Sequence, residues 1–361
     1  MRPVYYLSVF IPIAVGLNIA DASAPLVFFA SALGVVPTAA LMSDATEQLA
    51  TRAGPGIGGL LNVTFGNAPE LIIAFFALEK GLQEVVKASL VGSVIGNSLL
   101  VLGASMFFGG LGRERQTFNR TAAHTQAGML LLATAALVLP AVFQLIHGGS
   151  LPNVSELRHN YGSEVEKLSL FVAIVLIASY ATGLWFSLKT HRDLFNVETD
   201  DDDQVDANTW TIRKSVGLLA VAGVLVGVMS EILVGSIEEA SHQIGLSQFF
   251  VGVFVVAIVG NAAEHYVAVV VARKNKMDLS VNIAIGSSAQ IALFVAPVLV
   301  LLSFVVGPNP MALVFNGYEL AGLISAVLIA NFLASEGEST WFEGIQLLAL
   351  YAVLGLVFFF A

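Results

Sequence analysis

Long apolar runs separated by short polar stretches make up most of this chain. Because a helix needs about 20 mostly apolar residues to cross the hydrocarbon core of a bilayer, each run is a candidate span. With glycine, proline and charged residues taken as boundaries, the pattern predicts eleven segments, at approximately 4–20, 25–50, 56–79, 86–111, 121–145, 165–189, 212–236, 247–272, 278–306, 311–334 and 340–361. The second and seventh end in polar stretches and are expected to project beyond the bilayer. The pattern therefore predicts an all-α integral membrane protein with eleven transmembrane helices.

The composition agrees with this interpretation. Of the 361 residues, 57% are hydrophobic and 12% are charged, whereas a soluble domain carries roughly 25% charged residues. The absence of cysteine from the sequence excludes disulfides, thiolate metal sites and cysteine nucleophiles. No Walker loop, H-E-x-x-H or G-x-S-x-G motif occurs. We therefore expect a protein that is not an enzyme and needs no cofactor.

Lysine and arginine are distributed unevenly between the two sides of this arrangement. Twelve fall on the side of the N-terminus, and the four on the other side are Lys80, Lys87, Arg158 and Lys167. Because cytoplasmic loops are enriched in these residues, the N-terminus is predicted to be cytoplasmic and the C-terminus to lie outside. The clear division also favours an odd number of spans, since a missed helix would mix the two sides.

A stretch of the N-terminal half recurs in the C-terminal half. The sequence "GNAPELIIAFFALEKGLQEVVKASLVGS" at 66–93 aligns without a gap with "GNAAEHYVAVVVARKNKMDLSVNIAIGS" at 260–287. The positions that recur at this offset of 194 residues are Gly66, Asn67, Ala68, Glu70, Ala74, Lys80, Gly92 and Ser93. Asparagine, glutamate and lysine are among them, so an apolar compositional bias does not explain the match.

Each copy belongs to a set of five predicted spans that follows a lone first helix. Five is odd, so the two copies must have opposite orientations in the membrane. Inverted repeats are common in secondary transporters, whose substrate site lies near the midplane where the repeats meet. The predicted organisation is a first helix at 1–22, an N-terminal repeat at 23–190, an acidic cytoplasmic linker at 191–211 and a C-terminal repeat at 212–361.

Glu70 and Glu264 are the carboxylates predicted to lie well inside spans, with apolar residues on both sides. An ionisable group at the bilayer centre costs about 2.5–3.5 kcal/mol on insertion scales, so a functional role is the default hypothesis. Asn67 and Asn261 precede them by three residues and share their helix faces. Pro69 also lacks an N–H and so frees a carbonyl for another partner. These carboxylate, amide and carbonyl oxygens suit a hard divalent cation such as Ca²⁺.

The same two carboxylates are suited to protons. Burial raises the pKa of a carboxyl group, and a second carboxylate nearby raises one of the pair further. Two carboxylates then carry either one Ca²⁺ or two H⁺, which couples the two ions. The neighbouring spans add neutral oxygens that either line the ion pathway or only bridge helices, namely Ser93, Asn97, Ser287, Ser288 and Gln290. His265 is either a proton relay or gate or a helix-bridging residue.

The sequences "GNAPELI" and "GNAAEH", each in the second helix of a five-helix repeat, resemble the Ca²⁺/H⁺ antiporter (cation exchanger) family of the calcium/cation antiporter superfamily. The resemblance covers nearly the whole chain. It implies alternating access, in which a bundle of segments 1, 2, 6 and 7 slides against a core that holds the ion site. It also implies that Glu70 and Glu264 bind Ca²⁺ or H⁺, with Asn67, Asn261, Ser93 and Gln290 near them. The compact length resembles prokaryotic members, so an inner or plasma membrane location is expected.

The prediction is therefore an antiporter that exports cytoplasmic Ca²⁺ in exchange for H⁺, with the bilayer as its surroundings and no nucleic-acid partner. The sequence leaves the oligomeric state open. The nearest alternative is a Na⁺/Ca²⁺ or other cation exchanger of the same fold, disfavoured by the lack of added carboxylates in segments 4 and 9. A second alternative is an intramembrane acid protease that uses the paired carboxylates, but hydrolysis does not require an inverted repeat. A passive channel is the third alternative.

Overall fold

The structure, a computed structural model, describes residues 3–154, 161–190 and 210–361, without the side chains of residues 54–57, 59, 60 and 63. Apart from connecting loops and two very short strands, these residues are helical, as predicted. The acidic linker predicted at 191–211 lies outside the described residues except for its last two positions.

The helices follow the apolar runs of the sequence. They are α1 (Phe10–Ile19), preceded by a 3-10 segment (Pro3–Val9), α2 (Ala24–Phe65), α3 (Ala68–Glu79), α4 (Gln83–Ile95), α5 (Leu102–Gly110), α6 (Arg120–Ile146), α7 (Ser163–Trp185), α8 (Ile212–Ile244), α9 (Gln248–Phe250), α10 (Ala257–Arg273), α11 (Met277–Gln290), α12 (Ala296–Ser303), α13 (Gly317–Ala334) and α14 (Trp341–Phe359). Strands β1 (Gln116–Thr117) and β2 (Glu338–Ser339) pair antiparallel, with Gln116 opposite Ser339.

Nine helical stretches of the described residues are long and apolar enough to cross a membrane. They are Ala24–Ala53, Gln83–Gly110, Arg120–Ile146, Ser163–Thr190, Ile212–Ile244, Gln248–Arg273, Met277–Ser303, Gly317–Ala334 and Trp341–Phe359, and Pro3–Ile19 is a shorter apolar helix. The prediction of a helical membrane protein is confirmed. The count of eleven spans in two inverted repeats stays a prediction.

Helix α2 bends sharply where the sequence predicts the boundary between the second and third segments. A Cβ atom at Gly58 would overlap the Ala50 carbonyl and lie 3.0 Å from its carbon. Eight residues of straight α-helix span about 12 Å, so the backbone must fold back between these positions. The sequence Gly54-Pro55-Gly56 lies in this interval, and glycine and proline are the usual causes of sharp kinks.

Helix α13 begins at Gly317, six residues later than the predicted start at 311. Pro308 and Pro310 disfavour helix in the residues before them, and residues 310–316 are not in regular secondary structure. The helix starts where Asn316 caps it: the Asn316 side chain accepts the Glu319 N–H, and the Glu319 carboxylate accepts the Asn316 N–H. This capping box fixes the boundary.

Two π-helical segments occupy corresponding places in the two sequence copies. The segment Gly96–Val101 joins α4 to α5, and Ile291–Val295 joins α11 to α12. The offset of 194 residues places the first segment on 290–295, almost where the second lies. π-Helical turns are rare and often occur at functional sites, so the local backbone supports the equivalence that the sequence alignment predicts.

The described residues form two compact units that cut across the predicted repeats. Unit 1 comprises Met1–Phe76, Ala181–Ile244 and Val259–Ala263. In this unit α2 packs along α8, where Gly34 brings the backbone of α2 against the Met229 sulfur. A small apolar core contains Met42, Ala68, Ala222 and Val226.

Unit 2 comprises Ala77–Tyr180, Gly245–Ile258 and Glu264–Ala361. Helix α4 packs against α13 and against the π-helical segment Val251–Val256 that joins α9 to α10. At the second contact a Cβ atom on Gly92 would lie 2.7 Å from the carbonyl carbon and Cα of Val253. Only glycine therefore fits this helix crossing without a backbone shift.

Candidate ion-binding site

The first copy of the repeated motif contains a break in the helix. Helix α2 ends at Phe65, Gly66 and Asn67 form a turn, and α3 starts at Ala68. Pro69 accounts for the break, because its ring clashes with the carbonyl four residues earlier, that of Phe65, and it has no N–H to donate. Glu70 consequently lies in the first turn of α3, where the partial positive charge of a helix N-terminus favours an anionic side chain.

Unit 1 also places the start of the second motif against Glu70. A Cβ atom at Gly260 would lie 3.2 Å from Cγ and 3.6 Å from Cδ of Glu70. Any larger residue at 260 would press on this carboxylate group, which explains why glycine suits the position. Asn67 and Asn261 are both buried, at 2% and 1% exposure, while Glu70 is partly exposed.

The second copy of the motif lies in an unbroken helix. Helix α10 runs continuously through Gly260 and Asn261 to Arg273, because Ala263 replaces the proline of the first copy. The burial pattern is nevertheless the same as in the first copy, with a buried asparagine followed three residues later by a partly exposed glutamate, Glu264. The two motifs therefore have the same pattern of side-chain burial, although the backbone is broken in the first and helical in the second.

In unit 2 a polar network surrounds Glu264. Its carboxylate accepts a hydrogen bond from the Ser287 hydroxyl, which in turn accepts one from Asn97 Nδ2 at 3.3 Å. The Asn97 Oδ1 lies 3.0 Å from Nε2 of His265, which donates to it. The structure thus brings together Glu264, His265, Asn97 and Ser287. Their part in ion binding stays a prediction.

The remaining candidate residues have different surroundings. Ser288 is buried and donates to the Ala284 carbonyl at 3.0 Å, and its hydroxyl is 3.3 Å from that of Ser98. Ser93 is buried in α4, and Gln290, the last residue of α11, is partly exposed. The role of these three in an ion pathway stays a prediction. Ser98 was not predicted, since a lone serine in an apolar run carries no distinguishing signal.

The available ligands are mainly neutral oxygens. Oε2 of Glu264 is buried and has no hydrogen-bond partner in the part of the chain that the structure describes. Within the same residues, no group of three or more His, Cys, Asp or Glu side chains lies close enough to hold a metal ion. A cation at these motifs would therefore use amide, hydroxyl and carbonyl oxygens beside the motif carboxylates, which is oxygen chemistry of the kind that Ca²⁺ accepts.

The helical spans and the duplicated Asn–Glu motif define a polytopic α-helical membrane protein with an oxygen-rich polar site in an apolar setting. The family model described as sodium/calcium exchanger protein matches residues 23–189 and 214–360. The chain therefore belongs to the sodium/calcium exchanger protein family.

Several individual proteins are similar over nearly the full length. A Ca²⁺/H⁺ antiporter of Aphanothece halophytica is 45% identical over 350 residues, which cover 92% of this chain and 90% of the relative. A Ca²⁺/H⁺ antiporter of Synechocystis sp. is 44% identical over 371 residues, covering 98% and 96%. The crystal structure of the selenium-substituted Ca²⁺/H⁺ antiporter protein YfkE matches with a TM-score of 0.82 at 38% identity, covering 100% of both chains. The resemblance predicted from the motifs is confirmed.

Proposed function

We propose that this protein is a Ca²⁺/H⁺ antiporter that exports cytoplasmic Ca²⁺ in exchange for H⁺. The observation that carries the proposal is the pair of motifs, in which a buried asparagine precedes a partly exposed glutamate in each copy. The similar proteins named as Ca²⁺/H⁺ antiporters support the choice of ions. The transported ions are substrates, and no resident cofactor is invoked.

Charge balance explains the coupling. Glu70 and Glu264 together carry two negative charges when ionised, which either one Ca²⁺ or two protons neutralise. A site inside the membrane is most stable when its net charge is close to zero, so the empty, doubly charged form is disfavoured. Ca²⁺ entry then requires release of protons, and proton entry requires release of Ca²⁺.

The packing of Gly260 against Glu70 supports the idea that both motifs act on the same ion. The second motif approaches the first so closely that a Cβ atom at Gly260 would lie 3.2 Å from Cγ of Glu70. Asn67 and Asn261 would supply amide oxygens, and the Phe65 carbonyl, left without its helical donor by Pro69, would supply a backbone oxygen. Ser287 and Asn97 would hold Glu264 in position through their hydrogen bonds.

The proposed mechanism is alternating access by two inverted repeats. Its support is the sequence repeat, the matching π-helical segments and the similar burial of the two motifs. In this arrangement the glutamates lie near the membrane midplane, the N-terminus is cytoplasmic and the C-terminus is outside. His265 would serve as the proton relay, since its Nε2 already donates to Asn97.

A Na⁺/Ca²⁺ exchanger is the second candidate, because the family to which the chain belongs includes this activity in its name. Sodium-coupled exchange requires sites for additional monovalent ions. The spans that follow the two motifs carry Ser93, Asn97, Ser287 and Gln290 rather than further carboxylates, which favours protons as the counter-ion.

Flux in proteoliposomes containing the purified protein tests the proposal. Ca²⁺ uptake should follow an imposed pH gradient, stop when a protonophore collapses that gradient, and remain unchanged when Na⁺ replaces choline. Uptake that persists without a pH gradient and follows a Na⁺ gradient would establish the second candidate instead. Ion currents that move far more ions per second through each protein than a carrier can turn over would identify a channel.

A further inference from the structure

A buried lysine lies in unit 2, outside the two motifs. Lys87 is only 1% exposed, although the sequence analysis counted it among the four cations on the side opposite the N-terminus. Its ammonium donates to the Val314 carbonyl at 2.7 Å and pairs with the Glu84 carboxylate at 2.7 Å. It also lies 5.4 Å from the centre of the Tyr161 ring. A buried charge needs such compensation on every side.

A second buried carboxyl group interacts with this ammonium. Glu319 is fully buried and acts on Lys87 through its charge. Glu319 Oε2 accepts the Asn316 N–H, whereas Oε1 is buried and has no hydrogen-bond partner among the described residues. Two carboxyl groups therefore act on this one cation, Glu84 by direct contact and Glu319 through its electrostatic interaction.

The Val314 carbonyl, which accepts from Lys87, is a backbone oxygen of the kind that binds ions. Val314 belongs to the non-helical stretch 310–316, so its carbonyl is available to a partner from another element. Unwound backbone of this kind coordinates cations in several transporters. The surroundings are apolar, with Ala141, Val165 and Ala312 in the same buried cluster as Val314.

The sequence repeat shows that the lysine is an addition to one copy. At the offset of 194 residues Glu84 corresponds to Asp278, and Lys87 corresponds to Val281. The Asp278 carboxylate accepts the Asn119 N–H, so it is satisfied without a cation. The lysine therefore occurs in the copy whose acid, Glu84, interacts with the buried Glu319 of the C-terminal half.

We propose that the oxygen cage around the Lys87 ammonium is a monovalent-cation site, of the class that binds potassium, which the chain fills with its own side chain. An ammonium group and a potassium ion are similar in size and charge, and both bind carbonyl and carboxylate oxygens and aromatic faces. Lys87 therefore makes the stability of unit 2 independent of dissolved cations. Without it the cage holds two acids and an open space that a potassium ion fits.

Replacing Lys87 by alanine tests this, because alanine removes the charge and leaves the space of the ammonium open. Thermal unfolding of the purified Lys87→Ala protein is measured in choline, potassium and sodium chloride at equal ionic strength. In choline we expect the melting temperature to fall by about 5–10 °C. Potassium should restore it with the concentration dependence of a single binding site, and radioactive rubidium should bind to this variant in excess of the wild type.

The control is Lys80→Ala, the same change at an exposed lysine seven residues earlier, which should behave as the wild type in every salt. Lys87→Ala/Glu84→Gln, which also removes the carboxylate paired with the ammonium, should lose the response to potassium. A Lys87→Ala melting temperature no more sensitive to potassium than that of the control would overturn the proposal, as would a variant that folds in neither salt. None of these readouts depends on transport, so the proposed function can fail without affecting this inference.

Discussion

The two motif helices carry nearly the same side chains on different backbones. In the first copy the chain breaks at Gly66–Asn67 and restarts just before Glu70, while in the second α10 continues through Gly260–Asn261. One residue accounts for the difference, because Pro69 corresponds to Ala263. Glu70 thus lies at a helix N-terminus, whereas Glu264 adjoins the network of Ser287, Asn97 and His265. Equal side chains therefore do not make the two halves equivalent.

The largest effect is expected from neutralising either carboxylate. Glu70→Gln and Glu264→Gln should each lower Ca²⁺/H⁺ exchange at least about 100-fold, because one remaining charge cannot balance a divalent ion. Proteoliposome flux gives the rate, and the melting temperature shows whether the variant is folded. Glu231→Gln, at an exposed carboxylate of α8, is the matched control and should keep the wild-type rate. A glutamine variant with normal proton-coupled flux would remove that carboxylate from the mechanism.

The second-largest effect is expected from removing or adding the proline that breaks the motif helix. Pro69→Ala should restore a donor to the Phe65 carbonyl, extend the helix and lower exchange by about tenfold with little change in melting temperature. The reverse change, Ala263→Pro, should break α10 and destabilise the protein by about 3 kcal/mol. Flux and thermal unfolding of both variants check this. A wild-type rate in Pro69→Ala would mean that the break does not contribute to the site.

Gly92 and Gly286 correspond in the sequence repeat, and their replacement by alanine should change stability by different amounts. Gly92→Ala should destabilise the protein by about 1–3 kcal/mol, because the new methyl group meets the Val253 backbone. Gly286→Ala should cost less than about 0.5 kcal/mol, because its nearest neighbour, at 3.2 Å, is the movable Asn282 side chain. Unfolding of the two variants in the same detergent measures the difference. Equal losses would contradict the close backbone approach at Gly92.

The smallest effect is expected at His265. His265→Ala removes the hydrogen bond to Asn97 and should slow exchange about two- to fivefold while changing its pH profile, because the proposed relay is lost. His242→Ala, at an exposed histidine of α8, serves as the control. A uniform reduction with an unchanged pH profile would assign His265 a bridging role only.

Much of the fold could be predicted, because helical spans leave long apolar runs in a sequence. The runs at 121–145 and 247–272 lie within one residue of the helical stretches Arg120–Ile146 and Gln248–Arg273. The start of α13 was predicted six residues too early, since residues 311–316 are as apolar as a helix but follow two prolines. Hydrophobicity reports burial and does not distinguish extended from helical backbone.

The site could be predicted only in part. The repeated Asn and Glu stood out because polar residues are costly in a span, while the freed carbonyl inferred from Pro69 stays a prediction. The burial of Lys87 was missed, since its charge and its place next to a predicted loop resemble those of exposed Lys80. Its partners, Val314 and Glu319, come from distant parts of the chain, and no local pattern encodes such a contact.

The most direct test of the central claim is to measure proton release when Ca²⁺ binds to the purified protein in weakly buffered detergent solution. The account predicts that Ca²⁺ displaces protons from the wild type near neutral pH, that each single glutamine variant releases fewer, and that Glu70→Gln/Glu264→Gln releases none. Ca²⁺ binding without proton release by the wild type, or undiminished release by the double variant, would contradict it.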